Sequence, residues 1–378
     1  MKSSHIIILC ILATVILTDC SKNSSSTEDT VKIICKVNDY WQANHSPQEK
    51  QFWDNAAYHT GNMEIYFLTK KTAYLQYSEK WAEYNEWKGA KSDDKSNWKY
   101  SYGETDDYVL FGDQQICFQT YADLYNISPE DKKIARACEV MEYQMSTDRN
   151  DYWWWADGLY MVMPVMTKLY HITGNPLYLE KLHEYLAYAD SIMYDKETGL
   201  YYRDAKYVYP KHQSGNGKKD FWARGNGWVL AGYAKLLKDL PQTDKYREEY
   251  MQKYKNMVNA IVACQQPEGH WTRSLLDPEY APGSETSGTA FFTYGILWGI
   301  NNGLLDKTTY RPVVEKSWNY LTAVALQPDG KVGYIQPIGE KAIPGQVVDA
   351  NSTSSFGVGA FLLAGCEMVH YLQKEQVQ

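Results

Sequence analysis

Asp157 stands between the run Trp153-Trp154-Trp155-Ala156 and the apolar segment that opens Gly158-Leu159-Tyr160-Met161. A carboxylate at the start of an apolar helix, walled by indoles, feels two opposed pulls: desolvation raises its pKa and the helix N-terminus lowers it. An Asp there often does no more than cap the helix. Core packing does not require three consecutive Trp, however, whereas a platform for a sugar ring does. Residues 221–228, Phe-Trp-Ala-Arg-Gly-Asn-Gly-Trp, set Trp222 and Trp228 around a Gly-Asn-Gly turn that permits close backbone approach. The same string presents Arg224, whose planar fork can grip a carboxylate at two points or serve a structural ion pair. Asp113 is a third candidate, as a second carboxylate or as a cap. Glu285 and the hydroxyls of Thr353, Ser354 and Ser355 are equally suited to capping a helix or touching a ligand.

Other chemistries find no support. The eight His residues form no His-x-x-x-His or His/Cys cluster, so metal catalysis is not expected. Phosphate-binding loops, dinucleotide fingerprints and the Gly-x-Ser-x-Gly elbow are missing from the sequence. A net charge of -8 makes nucleic acid a poor partner. Aromatic residues reach 15% of the 378, with 33 Tyr and 13 Trp, which suits clefts that hold sugar rings.

The elements that must position these residues are helices of two kinds. Some are amphipathic: Ile134, Cys138, Met141 and Met145 share a face after a Ser128-Pro129 start, Leu179, Leu182, Leu186, Ala189 and Met193 share another after Asn175-Pro176, and Tyr250, Tyr254, Met257, Val258 and Ile261 form a third. Others, over 158–170, 227–237, 288–300 and 356–369, are apolar all round and must be buried on every side. Pro164 in the first of these is expected to kink it. Polar or aromatic triplets precede the buried helices at Trp53-Asp54-Asn55, Gly112-Asp113-Gln114, Trp155-Ala156-Asp157, Trp222-Ala223-Arg224, Glu285-Thr286-Ser287 and Thr353-Ser354-Ser355, 44 to 70 residues apart. Each interval fits an inner helix, an outer helix and two connections. The chain is expected to be all-α, an (α/α)6 barrel of six inner and six outer helices with all six triplets at one end. A stacked solenoid is the alternative, disfavoured because its ends would need polar capping repeats.

Residues 1–20 read as an export signal, with an apolar run from Ile6 to Leu17 too short to span a membrane. Leu17-Thr18-Asp19-Cys20 resembles a bacterial lipoprotein signal with Cys20 as the lipidated residue, although Asp19 is an unusual neighbour; plain secretion is the alternative. Residues 21–30 would be a polar tether and 31–378 a single catalytic domain, exported to the periplasm or outer membrane and touching membrane only through its anchor. Cys35, Cys117, Cys138, Cys264 and Cys366 are widely spaced and read as small apolar residues, not as disulfides. The sequence sets no oligomeric state.

At Trp153–Pro164, at 221–228 and at 284–300 the sequence resembles glycoside hydrolase family 105, the unsaturated rhamnogalacturonyl hydrolases, and more distantly family 88, the unsaturated glucuronyl hydrolases. The resemblance runs from about residue 40 onward. It implies the same barrel, no cofactor, and removal of a 4,5-unsaturated uronic acid from the non-reducing end of acidic, lyase-generated oligosaccharides such as those of pectin rhamnogalacturonan. By it, Asp157 is the general acid/base and Asp113 its partner aspartate, and hydration of the C4=C5 enol ether requires Asp157 to start protonated, kept so by the charge of Asp113 and the indole walls. Substrate contacts fall on Trp155, Trp222, Arg224, Trp228 and Glu285. One departure stands out: where rhamnogalacturonyl members often carry a His, this chain has Tyr201-Tyr202-Arg203-Asp204, so Arg203 or the nearby His212 takes that place. The competing readings are a saccharide-binding lipoprotein and a conventional saturated-uronide hydrolase, with an epimerase disfavoured for want of His in the inner loops.

Overall fold

The computed structural model describes residues 27–377. Helix α1 covers 27–44, so residues 27–30, expected to end a tether, are already helical. The export signal and Cys20 lie outside the described residues. The inner helices are α2 (Trp53–Thr69), the broken pair α4 (Gly112–Gln115) and α5 (Cys117–Ile127), α7 (Ala156–Thr173), α9 (Ala223–Asp239), α11 (Thr286–Asn301) and α13 (Ser355–Val377). They contact one another in that order, and α13 returns to α2, closing the ring. Around it lie α1, α3 (Thr72–Tyr84), α6 (Ala135–Met145), α8 (Leu177–Met193), α10 (Arg247–Val262) and α12 (Lys307–Tyr320). This is the expected barrel of six inner and six outer helices.

Apolar composition on every face is what lets the inner helices touch two neighbours and an outer partner at once. Closure of the ring depends on backbone contact between α2 and α13. A Cβ on Gly61 would stand 2.4 Å from the Gly359 carbonyl oxygen, and one on Gly359 would stand 2.4 Å from that of Ala57. Helix α13 is long and apolar enough to cross a membrane, yet 89% of its most apolar stretch is buried, as a barrel stave should be.

Pro164 does not end α7. Its missing N–H deprives the Tyr160 carbonyl of a helical donor, and Gln119 Nε2 from α5 donates to that oxygen at 2.8 Å and to Met161 at 3.0 Å. The outer stripes on α8 and α10 are buried as expected. Helix α6 begins at Ala135 after a 3-10 turn over Asp131–Lys133, later than the Ser128-Pro129 start expected for it. Gly225-Asn226-Gly227 is the first turn of α9 and not a reverse turn. All five described cysteines are free, Cys138 and Cys264 only half-buried.

A two-residue hairpin, β1 (Tyr194–Asp195) with β2 (Leu200–Tyr201), follows α8. Asn226 grips it: Tyr201 donates its N–H to Oδ1 at 2.9 Å, and Nδ2 donates to the Tyr201 carbonyl at 2.9 Å. That clamp sends residues 202–204 across the N-terminus of α7, where Ala156 N–H donates to the Arg203 carbonyl at 2.7 Å.

Candidate active site

The six triplets all fall at the N-terminal ends of inner helices, and a cavity of about 480 Å³ opens there. Asp113, Asp157, Trp155, Arg203 and Arg224 line it, together with Trp53, Tyr102, Trp154, Lys206 and the segment Ile338-Gly339-Glu340. Neither aspartate stands at an N-cap: Phe111 and Trp155 hold those positions in α4 and α7. Asp113 and Asp157 are instead 5% and 8% exposed, and Asp113 Oδ1 and Asp157 Oδ2 are buried without a hydrogen-bond partner.

The charge around the pair decides where a proton rests. Burial pushes Asp113 well above the usual carboxylate range, the nearby Asp157 pushes it further, and Arg203 offsets only part. Burial also raises Asp157 above the usual carboxylate range, and Arg203 and then Arg224 offset only part of the rise. Arg203 Nε stands 3.6 Å from Asp157 Oδ2, too far for a hydrogen bond but close enough to favour the anion. Both carboxyls are therefore held above the usual range, and at Asp157 the rise is opposed by Arg203, which the capping of α7 by its own carbonyl places beside it.

Arg224 is fully buried and sandwiched between the Trp222 and Phe356 rings, 4.6 and 4.8 Å from their centroids. Its Nη1 donates to the Gln336 carbonyl at 2.6 Å and Nη2 to that of Pro337 at 3.0 Å. The fork expected to hold a ligand carboxylate is thus spent on backbone, where it ties residues 336–340 to the rim. Burial lowers its pKa to about 10 against the pull of Glu285 and Asp157. Arg203 is the more available guanidinium, although its Nη1 is shared between Asp204 at 2.6 Å and Glu340 at 3.4 Å.

Four expected contacts lie off the cavity wall. Trp228 is fully buried, its ring 4.3 Å from Phe291 and 4.8 Å from Tyr160 by centroid: one turn further along α9 than Arg224, it has left the cavity for the core. Trp222 gives its indole N–H to Gln336 Oε1 at 2.9 Å and its face to Arg224. Glu285 caps α11, accepting from Ser287 N at 3.0 Å and Gly288 N at 2.7 Å, and also takes Gln336 N at 3.0 Å. His212 pairs with Asp220 at 2.8 Å, behind Arg203 and Glu340. These residues support the wall and do not form it. Conversely, Tyr102, Lys206 and 338–340 were missed because they sit in connections without a motif. Trp154 was legible only as one of three adjacent indoles.

A helical barrel whose concavity gathers two orphaned carboxylates, a guanidinium and indoles defines the class of carbohydrate-active barrel enzymes. The comparisons sharpen this: the chain belongs to Glycosyl Hydrolase Family 88, whose model matches residues 26–372. It is 35% identical over 331 residues to the unsaturated 3S-rhamnoglycuronyl hydrolase of Formosa agariphila, covering 84% of each chain. A solved polysaccharide lyase is 76% identical, with a TM-score of 0.90 over 92% of this chain and 98% of that one. A family 88 glycosyl hydrolase from Bacteroides vulgatus is 66% identical, with a TM-score of 0.90 over 91% and 99%. A family 105 glycoside hydrolase from C. acetobutylicum and two structures described as possible members of that family share the fold at 18–20% identity. The chain is an enzyme of the glycosidase class, and its curated homologues are unsaturated rhamnoglycuronyl hydrolases, in agreement with the resemblance drawn from the sequence.

Proposed function

We propose that the cavity receives a terminal 4,5-unsaturated uronic acid from an acidic oligosaccharide and hydrates its enol ether, with Asp157 and Asp113 handling the proton. The observation that carries this reading is the convergence of Asp113 Oδ1, Asp157 Oδ2 and Arg203 Nε, three buried polar atoms without a hydrogen-bond partner, in one indole-lined cavity. Arg203 is best placed to meet the uronate carboxylate. A substrate carboxylate beside it offsets the charge that draws Asp157 toward its anion, so Asp157 can hold a proton and pass it to C4. Water adds at C5 and returns one proton to the carboxylate pair. The hemiketal so formed opens, releasing the remaining chain as an alcohol and leaving a keto-uronate.

A second reading is favoured by one relative and one contact: the 76% identical structure is of a polysaccharide lyase, and the Arg203 guanidinium, 3.6 Å from Asp157, favours its anion. On a saturated uronate Asp157 would take the C5 proton, the electron pair would form C4=C5 while the C4–O bond breaks, and the Asp113 carboxyl would protonate the departing oxygen. The sign of one signal separates the two. Hydration consumes the ultraviolet absorbance of unsaturated oligosaccharides and leaves saturated ones untouched. Absorbance that instead grows on saturated uronides establishes elimination and overturns hydration.

Export with Cys20 as a lipid-bearing N-terminus belongs to the same proposal and rests on the sequence of residues 1–20 alone. The mass of the mature N-terminal peptide tests it, and an unmodified Cys20 would discard the anchor.

A further inference from the structure

Two buried atoms of the site face each other without bonding. Arg203 Nε and Asp157 Oδ2 each lack a hydrogen-bond partner, and they stand 3.6 Å apart. A movement of less than about 1 Å would close that gap to a charge-assisted hydrogen bond, typically about 2.7–2.9 Å long, and satisfy both atoms at once. Unpaired buried polar atoms are costly, so a pair left this close to bonding is held apart by another contact.

That contact is at another corner of the guanidinium. Asp204, its side chain buried, takes Arg203 Nη1 at 2.6 Å, and Glu340 reaches the same nitrogen at 3.4 Å. Successive side chains on extended backbone point to opposite faces, so neighbours in sequence seldom pair. Here a turn fixes Asp204: its Oδ1 accepts Lys206 N–H at 2.7 Å and its carbonyl accepts Tyr207 N–H at 3.0 Å. Its backbone also bridges to Trp155, two residues before Asp157, while Ala156 N–H holds the Arg203 carbonyl. The carboxylate that restrains Arg203 is thus fastened to the same helix N-terminus that carries Asp157.

We propose that Asp204 is a positioning residue: it holds the Arg203 guanidinium just short of a salt bridge with Asp157, so that Asp157 remains able to carry the proton that the reaction moves. This rests on the reading of Asp157 as the proton carrier. Four charged groups face Asp157: Arg203 and Asp204 from the segment after β2, Arg224 from α9 and Asp113 from α4. Arg203 in turn faces Asp157, Asp204 and Glu340, the last shared with Lys206, and the Tyr102 and Tyr207 hydroxyls lie within its field. Of these groups, Asp204 is the one that both grips Arg203 and adds a negative charge near Asp157. Its removal therefore acts twice in one direction, freeing the guanidinium to close on Asp157 and withdrawing a charge that favours the protonated form.

The test pairs the pH dependence of kcat/KM on one unsaturated disaccharide with a carboxyl-carbon NMR titration of the ligand-free, aspartate-labelled full-length protein, in which Asp157→Asn identifies the Asp157 signal. Asp204→Asn keeps an acceptor for the Lys206 amide and removes the charge. The apparent pKa of the Asp157 signal and the alkaline limb of kcat/KM should both fall by about one pH unit or more, so that activity lost at about pH 7 recovers as the pH is lowered. Glu340→Gln, at a more exposed position, should move both in the same direction by less. An unchanged or raised Asp157 value in Asp204→Asn overturns the proposal, as does a rate that falls by the same factor at every pH. Should Asp204→Asn fail to fold, Glu340→Gln decides by the same sign, and no downward shift there overturns it equally. If the Asp157 signal moves down but the limb that follows it is the acidic one, Asp157 works as a base: hydration is then discarded and the restraint by Asp204 stands.

Discussion

At the N-terminal end of the inner helices Asp113 faces a cavity with one partly engaged guanidinium, whereas toward the other end of the same helices Glu64 on α2 meets lysines from α7 and α9. Lys238 Nζ stands 3.0 Å from Glu64 Oε1, and Lys168 bridges Asp123 at 2.5 Å and Asp239 at 3.9 Å. Burial raises both acids. At Glu64 the charges of Lys238, Lys235 and Lys168 overcome it and bring the pKa down to about 2, while at Asp113 the neighbour is another carboxylate and the shift is strongly upward. Burial disfavours charge at either end, and the sign of the neighbours decides the outcome. A satisfied network fastens the staves together, and an unsatisfied one leaves protons to be moved.

The comparison breaks most sharply at Asp157. Asp157→Asn keeps size and packing but removes the transferable proton, so turnover should fall by roughly 10²–10⁴-fold with the melting temperature little changed. Full activity in steady-state assays would discard the site. Glu64→Gln should do the opposite, retaining the activity of folded protein while costing stability. Its side chain is 20% exposed, so the loss should fall between an exposed pair and a fully buried one, about 2 kcal/mol, read from the urea midpoint. Because the folded pKa of Glu64 is depressed, that stabilisation is complete above the unfolded carboxylate range of about pH 4–5 and is lost as pH falls through the folded value. A gap between wild type and Glu64→Gln that persists undiminished at about pH 2 would contradict the pairing.

One side of this contrast was legible in the sequence, and what escaped has a common cause. Helices apolar on every face can only be inner staves, so the ring could be read directly, and three indoles before a carboxylate that opens such a helix marked Asp157 as a candidate; the lysines around Glu64 carried no motif. The direction of a side chain within a first turn could not be read. Arg224 and Trp228 lie four residues apart on α9, about 6 Å along the axis, and that rise separates a wall residue from the core. Glu285 is the N-cap of α11 and its side chain accepts from the amides of Ser287 and Gly288, whereas Asp157 is the second residue inside α7, past the N-cap position. Ile338 to Glu340 line the site from a segment that Arg224, Glu285 and Trp222 hold through Gln336 and Pro337, a set of long-range contacts that no local pattern carries.

Arg224→Lys separates a strut from a ligand grip. Lys cannot reproduce two donations to the carbonyls of Gln336 and Pro337, so stability should fall by about 1–2 kcal/mol along with the loss of turnover. A normal melting temperature with a large rise in KM would restore Arg224 as a carboxylate grip.

The smallest effect is expected at Asp113, and its sign is the informative part. A buried carboxyl whose folded pKa lies above its unfolded value binds more protons in the native state between the two, so wild-type stability declines as pH rises from the unfolded value toward the folded one. Asn presents a neutral amide of the same size at every pH and avoids that decline. Asp113→Asn should therefore slow the reaction while raising stability, on the order of 1 kcal/mol, with the advantage larger at about pH 8 than at about pH 4. Thermal melts of the two proteins across that range provide the measurement. If Asp113 were instead an anion balanced by Arg203, its replacement would leave the guanidinium uncompensated, and the variant would be the less stable protein at about pH 8.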